Sequence, residues 1–206
     1  IPQRSSALDN DGVKQAVMDY GALYVAMYWA SSYYKSSTAS YYYNGTSVSN
    51  HAVLIVGWDD NYPAGNFAST PAGNGAFIVK NSWGTGWGSG GYFYISYYDT
   101  AFGRDSYMAV HNNAEPVVNY SGIYQYDPLG NVMQCGYGSS TGWFANVFTA
   151  QSSSVLSAVG FYTESPGTSY QVYTGSSLAA KTLNTSGTQE YMGFHTVPLA
   201  TPVELT

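Results

Sequence analysis

Apolar residues in the first half of the chain recur at two periods. Val13, Ala16, Val17 and Tyr20 fall at i, i+3, i+4 and i+7, the spacing of one helix face. Asp9-Asn10-Asp11 ahead of them supplies an N-cap and an acidic first turn, and Gly21 supplies a C′ residue, so a helix is predicted to end near Tyr20. The period then drops to two. Leu23, Val25 and Met27 alternate with Tyr24, Ala26 and Tyr28 in a run that continues to Trp29, which predicts a strand. His51 to Trp58 is apolar at both parities, the pattern of a strand central in its sheet. Gly75 to Lys80 and Tyr92 to Tyr97 read as further strands, and Tyr107 to Val110 as one that closes the sheet. Between them, Ser31 to Ser49 reads as a loop with a turn at Asn44-Gly45. Asp59 to Asn74 reads as a surface excursion, and Trp83 to Gly91 as a glycine-dense turn system.

Near His111 to Pro116 the texture changes, and helical periodicity is absent from there on. Short alternating runs follow at Trp143 to Thr149, Val155 to Thr163, Tyr170 to Thr174 and Tyr191 to Val197, spaced by Gly, Pro, Asn and Ser. That spacing predicts an all-β sandwich or jelly roll. The expected organisation is α+β, with a mixed domain over residues 1–112 and an all-β domain over 113–206. The final Pro202-Val203-Glu204-Leu205-Thr206 reads as the start of another strand, and the opening Ile1-Pro2-Gln3-Arg4 lacks an initiator Met. Both suggest a piece of something longer.

Composition narrows the partners. Charged residues are 9% of the 206, and 22 tyrosines supply much of the polarity, a balance suited to pleated, half-buried surfaces of secreted or surface β-proteins. Six basic against twelve acidic side chains give a net charge of −6. No basic stripe is available to neutralise phosphates, so nucleic acid is not an expected partner. No apolar run approaches the ~20 residues of a membrane span. A single cysteine, Cys135, permits no internal disulfide framework.

Chemistry concentrates in two strings. Asn50-His51-Ala52-Val53 puts a histidine at the mouth of an apolar run, and Phe77-Ile78-Val79-Lys80-Asn81-Ser82-Trp83-Gly84-Thr85-Gly86-Trp87-Gly88 puts an asparagine at the end of another. Adjacent strands would bring His51 and Asn81 to one sheet edge within hydrogen-bond reach, and a histidine oriented by an amide is half of a nucleophilic catalytic machine. Taken singly, each residue fits a structural role: a satisfied edge histidine, a turn asparagine, core tryptophans. Their joint spacing is what carries the signal.

Helix, strand, Asn-His-Ala-Val, Asn-Ser-Trp-Gly-x-x-Trp-Gly and Gly-Tyr-Phe-Tyr-Ile, in that order over residues 11–98, resemble the C-terminal, right-hand half of papain-like cysteine peptidases. The resemblance implies His51 as general base and acid and Asn81 as the group that orients its ring. It implies Trp83 as a cover over their contact, and Asn50, Ala52 and Ala26 as substrate-binding residues, the two alanines lining a roomy pocket for an apolar side chain. The family often has an acid before the histidine, and Asn50 is neutral. A peptide or protein is the implied substrate, with no cofactor and no metal.

The departure is the nucleophile. In the family a cysteine precedes the histidine in the chain, where a helix dipole and the imidazolium lower its pKa. Residues 1–50 hold no cysteine, and neither Gln3 nor Gln15 opens the expected Gly-x-Cys-Trp pattern. Cys135 lies in the β-rich half and reads as a buried structural thiol. The expected partner is therefore a nucleophile-bearing half elsewhere, and the chain alone is expected to be inactive. The competing reading is a catalytically dead surface module.

The strings Ala158-Val159-Gly160-Phe161-Tyr162 and Ser169-Tyr170 resemble the lectin-like β-domain that follows the peptidase in some bacterial and archaeal surface enzymes. That implies an extracellular or cell-surface location and a cell-surface glycan as a further partner. Trp143, Tyr162, Tyr170 and Tyr173 either stack on sugar rings, with Asn146 and Gln171 as hydrogen-bonding partners, or fill a sandwich core. Asp127 and Asn131 offer two oxygens for calcium, too few to make a site. His111 and His195 have no neighbours at zinc spacing.

Overall fold

The computed structural model describes residues 1–105, 107–111, 114–126, 130, 136 and 138–206. The chain divides into two compact units, Ile1–Val117 and Val118–Thr206. The expected boundary between residues 112 and 113 lies outside the described residues, as do Cys135, Asp127 and Asn131.

In the first unit the α-helix α1 (Asp11–Tyr20) buries Val13 and Ala16 as its period requires. Its predicted side-chain cap does not form: Asn10 makes no cap hydrogen bond. The buried Arg4 guanidinium takes the Asn10 amide instead, donating from Nε to Oδ1 at 3.0 Å, and also donates to the carbonyls of Ala7, Tyr97 and Phe102. Gly21 ends the helix at φ 85°, its N–H reaching back to the Val17 carbonyl.

Seven strands form one sheet: β1 (Leu23–Met27), β2 (Tyr34–Lys35), β3 (Ser40–Tyr41), β4 (His51–Asp59), β5 (Ala76–Lys80), β6 (Tyr92–Ser96) and β7 (Ala109–Val110), in the order β2-β3-β6-β5-β4-β1-β7. Every pair is antiparallel except β3 with β6. As its two-sided apolar pattern predicts, β4 is internal, between β5 and β1. Only Val53 and Ile55 of β4 are fully buried, so its second face is partly open. Register places Leu23, Val25 and Met27 opposite Ile55, Val53 and His51 on the core face, and Tyr24 and Ala26 opposite Leu54 and Ala52 on the other. The core runs through Leu23, Val25, Met27, Tyr41, Ile55, Phe77, Val79, Phe93, Ile95, Phe102 and Met108, all at most 2% exposed.

The expected loop from Ser31 to Ser49 is more ordered than its composition suggests. It holds β2 and β3 and buries Tyr41 and Tyr43. The buried carboxylate of Asp99 accepts the backbone N–H of Tyr43, Ala101 and Phe102 and so ties this segment to the turn after β6. Burial pushes that carboxyl up to about 6.

The second unit is all β. It contains β8 (Ser154–Thr163), β9 (Thr168–Gly175), β10 (Lys181–Gln189) and β11 (Gly193–Leu205), paired antiparallel as β8 with β11 and β9 with β10. Three expectations need correction. Trp143 to Thr149 forms no strand and is exposed: its alternation finds no neighbouring ladder among the described residues. The Pro202–Thr206 run is not a new strand. It continues β11, which slips register after Pro198 and re-pairs with β8 at Val203. And β10 was not anticipated, because Lys-Thr-Leu-Asn-Thr-Ser-Gly-Thr-Gln has no apolar alternation to read.

Candidate active site

β4 opens on His51 and β5 ends one residue before Asn81, two neighbouring strands whose ends meet at one edge. A bulge in β4 between Ile55 and Gly57 shifts the register along this pair, so that Lys80 faces Leu54. His51 Nε2 lies 3.0 Å from Asn81 Oδ1. The Ser82 backbone N–H donates to the same oxygen at 2.8 Å, which fixes the end of the amide that faces the ring. Nε2 is therefore the protonated nitrogen of the neutral imidazole. Nδ1, with no hydrogen bond to any described residue, presents its lone pair as a base.

Asn81 is 5% exposed, and its Nδ2 is buried without a hydrogen-bond partner among the described residues. Such an orphan costs about 1–3 kcal/mol, more than a turn former needs to carry. The backbone N–H of Asn81 donates to Gly91 and closes the glycine-dense turn. In that turn Gly88 sits at φ 59°, and a Cβ there would stand 2.5 Å from the Tyr92 carbonyl oxygen. Only glycine fits.

Trp83 lies flat on His51, with ring centroids 4.9 Å apart at 23°, while 42% of it remains exposed. It covers the imidazole from one side and excludes water there. Three aromatic residues outside the sequence-derived set brace it. Trp29 and Trp87 meet Trp83 edge-on at 4.8 and 4.9 Å, and Tyr41 stacks under Trp29 at 5.0 Å. The Tyr41 hydroxyl donates to the Tyr28 carbonyl and accepts the Ala30 N–H, and burial holds its pKa well above the usual tyrosine range. The repeated Trp-Gly of the motif hinted at Trp87; nothing in the sequence pointed to Trp29.

The other expected site residues divide. Ala26 and Ala52 are register partners on the face opposite His51. Ala52, with Tyr24, Val53, Leu54, Lys80, Asn81 and Ser82, lines a shallow hollow of about 380 Å³. Asn50, expected at the substrate, has both ends of its amide taken: Oδ1 accepts the Trp29 N–H at 2.7 Å and Nδ2 donates to the Trp29 carbonyl at 3.1 Å. Among the described residues no cluster of three His, Cys, Asp or Glu stands where it could hold a metal. His195 bonds the Thr163 hydroxyl at 2.9 Å. No helix of the described residues is long and apolar enough to cross a membrane.

Residues 2–115 match the papain family of cysteine proteases. The chain belongs to that family. Residues 123–206 match a lectin-like domain. A cysteine protease of Blomia tropicalis is 28% identical over 109 residues, 51% of this chain and 29% of that protein. Digestive cysteine proteinase 2 of Homarus americanus is 34% identical over 88 residues, 41% of this chain and 24% of that protein. The crystal structure of the cysteine protease and lectin-like domains of Cwp84, a surface-layer-associated protein of Clostridium difficile, superposes with a TM-score of 0.69 at 30% identity. It covers 95% of this chain and 44% of that one. The chain thus spans about a quarter of the curated relatives it matches and under half of the solved one. Its architecture is that of a β-rich papain-like half followed by a lectin-like β region.

Proposed function

We propose that this chain supplies the base-and-orienter half of a cysteine-type peptidase whose nucleophilic cysteine lies outside it. The observation that carries the reading is the 3.0 Å His51–Asn81 contact under Trp83. In this reading His51 Nδ1 takes the proton of an incoming thiol, giving a thiolate–imidazolium pair. The thiolate attacks the scissile carbonyl carbon, and His51 returns the proton to the leaving amine. Water, deprotonated by His51, then hydrolyses the thioester and restores the cysteine. A neutral asparagine orients the ring without adding a second negative charge beside the thiolate. Ala52 and Ala26 contribute the floor of a substrate pocket, and Asn50 acts beside it through the backbone of Trp29.

The likeness to Cwp84 supports a bacterial, extracellular or cell-surface setting, with peptide or protein as substrate and a separate nucleophile-bearing half as partner. A domain boundary near residues 112–113 fits this reading. The test is thiol-dependent hydrolysis of a fluorogenic peptide by the full-length parent protein, by its His51→Ala variant and by the isolated 206-residue chain. Activity in the parent alone is expected. Hydrolysis by the isolated chain would overturn the placement of the nucleophile, and an inactive parent would favour the alternative, a catalytically dead surface-binding module.

One observation favours a glycan as second ligand. Trp143 is 60% exposed beside Tyr173 at 5.6 Å, and the Tyr173 hydroxyl donates to Gln171, which together offer a stacking face and an amide next to each other. Trp143 and Tyr162 do not fill a core, whereas Tyr170 and Tyr173 are half-buried. Glycan-array binding by the whole chain, lost in Trp143→Ala, is the expected result; an array without signal removes the glycan.

A further inference from the structure

The backbone ladder between β1 and β4 stops at the pair Met27–His51. One further rung follows through a side chain. The Asn50 N–H donates to the Met27 carbonyl at 3.0 Å, and the Asn50 amide then pairs with Trp29 as a strand residue would, accepting its N–H at 2.7 Å and donating to its C=O at 3.1 Å. Trp29 is thereby held by the residue immediately before His51. Its indole is also fixed on the far side: Tyr41 stacks beneath it at 5.0 Å and 19°, and Tyr34 and Phe93 close the flanks at 5.5 and 6.1 Å.

Against this fixed indole the cover residue rests edge-on. Trp29 meets Trp83 at 4.8 Å and 80°, and meets the His51 ring itself at 6.4 Å and 62°. Trp83 opens the glycine-dense turn and is 42% exposed, so little else restrains its rotamer on the open side. Trp87 supports it from the turn's own side at 4.9 Å, whereas Trp29 supports it from the segment just after β1, which bears no catalytic group.

We propose that Trp29 is a positioning residue for the His51–Asn81 pair, keeping Trp83 flat on the imidazole, and that Asn50 sets Trp29 in place rather than binding substrate. The proposal deepens the peptidase reading, since a flat Trp83 excludes water from the Nε2–Oδ1 hydrogen bond. Its test requires no nucleophile and no substrate, so it stands or falls independently of hydrolysis.

The test is ¹H–¹³C NMR of the histidine rings in the whole chain. His111 and His195 serve as internal references beside His51. In the unaltered chain the stacked Trp83 ring displaces the His51 ring protons upfield. Trp29→Ala and Asn50→Ala are each expected to remove most of that displacement while the His111 and His195 signals hold. Trp29→Phe, which keeps an aromatic edge, and Asn50→Asp, which keeps the acceptor for the Trp29 N–H, are expected to restore part of it. A His51 signal unchanged in a folded Trp29→Ala chain overturns the proposal, as does an equal shift of all three histidines. Should Trp29→Ala fail to fold, the exposed Asn50 side chain decides: an Asn50→Ala chain with an unmoved His51 signal overturns it equally.

Discussion

The two units are built from similar strands but bury them differently. All the fully buried apolar residues described lie in the first unit except Val197 and Leu199. In the first unit β1 alternates between a closed core face and a second face, and β3, β5 and β6 bury adjacent residues on both. In the second, β8, β9 and β11 mostly alternate between a half-buried and an exposed face, closed only at Thr163, Val197 and Leu199, and Val155, Tyr162, Leu183 and Phe194 each show more than 40% of their surface. Catalytic geometry needs side chains held to fractions of an ångström, which a close-packed core provides. Binding of an extended polymer tolerates a less closely packed frame, and Trp143, the most exposed tryptophan, sits in the second unit.

The comparison predicts a steep asymmetry in function. If the full-length parent is the proposed peptidase, His51→Ala should lower its kcat/KM for a small peptide by about 10³-fold or more, while Trp143→Ala leaves it unchanged. Steady-state kinetics on one fluorogenic peptide checks both, and a large loss from Trp143→Ala would break the division.

Stability should show the same contrast. Phe77, fully buried between Tyr97 and Phe102, should cost about 3–5 kcal/mol when replaced by alanine. Phe194, 59% exposed, should cost under about 1 kcal/mol. Urea unfolding of the two variants, followed by near-UV circular dichroism, measures the difference; equal costs would mean the second unit hides a core of its own.

The next effect is smaller and has an unusual sign. Asp99, with a folded pKa of about 6 against 3.8 in the unfolded chain, binds its proton more tightly when folded. Its contribution is therefore full below the unfolded value and is lost as pH rises through 6, so it should make the chain about 1 kcal/mol more stable at pH 5 than at pH 6.5. Asp9 and Asp60, whose pKa values are lowered below 3.8, act below that window. Asp99→Asn should flatten the slope of melting temperature between pH 5 and 6.5, and an unchanged slope would assign it to another group.

The smallest effect tests the second unit itself. Asn184 is the extra residue at the β10 bulge, and its amide pairs with the backbone N–H and carbonyl of Thr201 in the stretch where β11 has slipped off β8. Asn184→Ala should cost about 1 kcal/mol and speed amide exchange at Thr201. No change at Thr201 would show that the slip in β11 needs no clamp.

Two amide side chains, Asn184 and Asn50, extend backbone ladders, and neither role was legible in the chain. A side chain that replaces a backbone rung leaves no period, because the partner is chosen by where the strand happens to end. The apolar runs that His51 opens and Asn81 closes made that pair visible in the sequence, and the resemblance to papain-like peptidases added Trp83. It assigned Asn50 to substrate, and it passed over Trp29 because a lone tryptophan after a strand looks like any core aromatic. Strand β10 escaped for the complementary reason: with both faces open, it has no contrast of apolar and polar positions to display.

By itself, then, the sequence determined the helix, the central strands, the change to all-β texture and the pairing of a histidine with an amide. Each is dictated locally by which face must be buried. Tertiary structure alone decided which nitrogen of His51 bears the proton, because that rests on Ser82 reaching the same oxygen. It alone decided what holds Trp83 on the ring, because Trp29 follows β1 and Trp83 follows β5, segments far apart in the chain that meet only when the sheet is assembled.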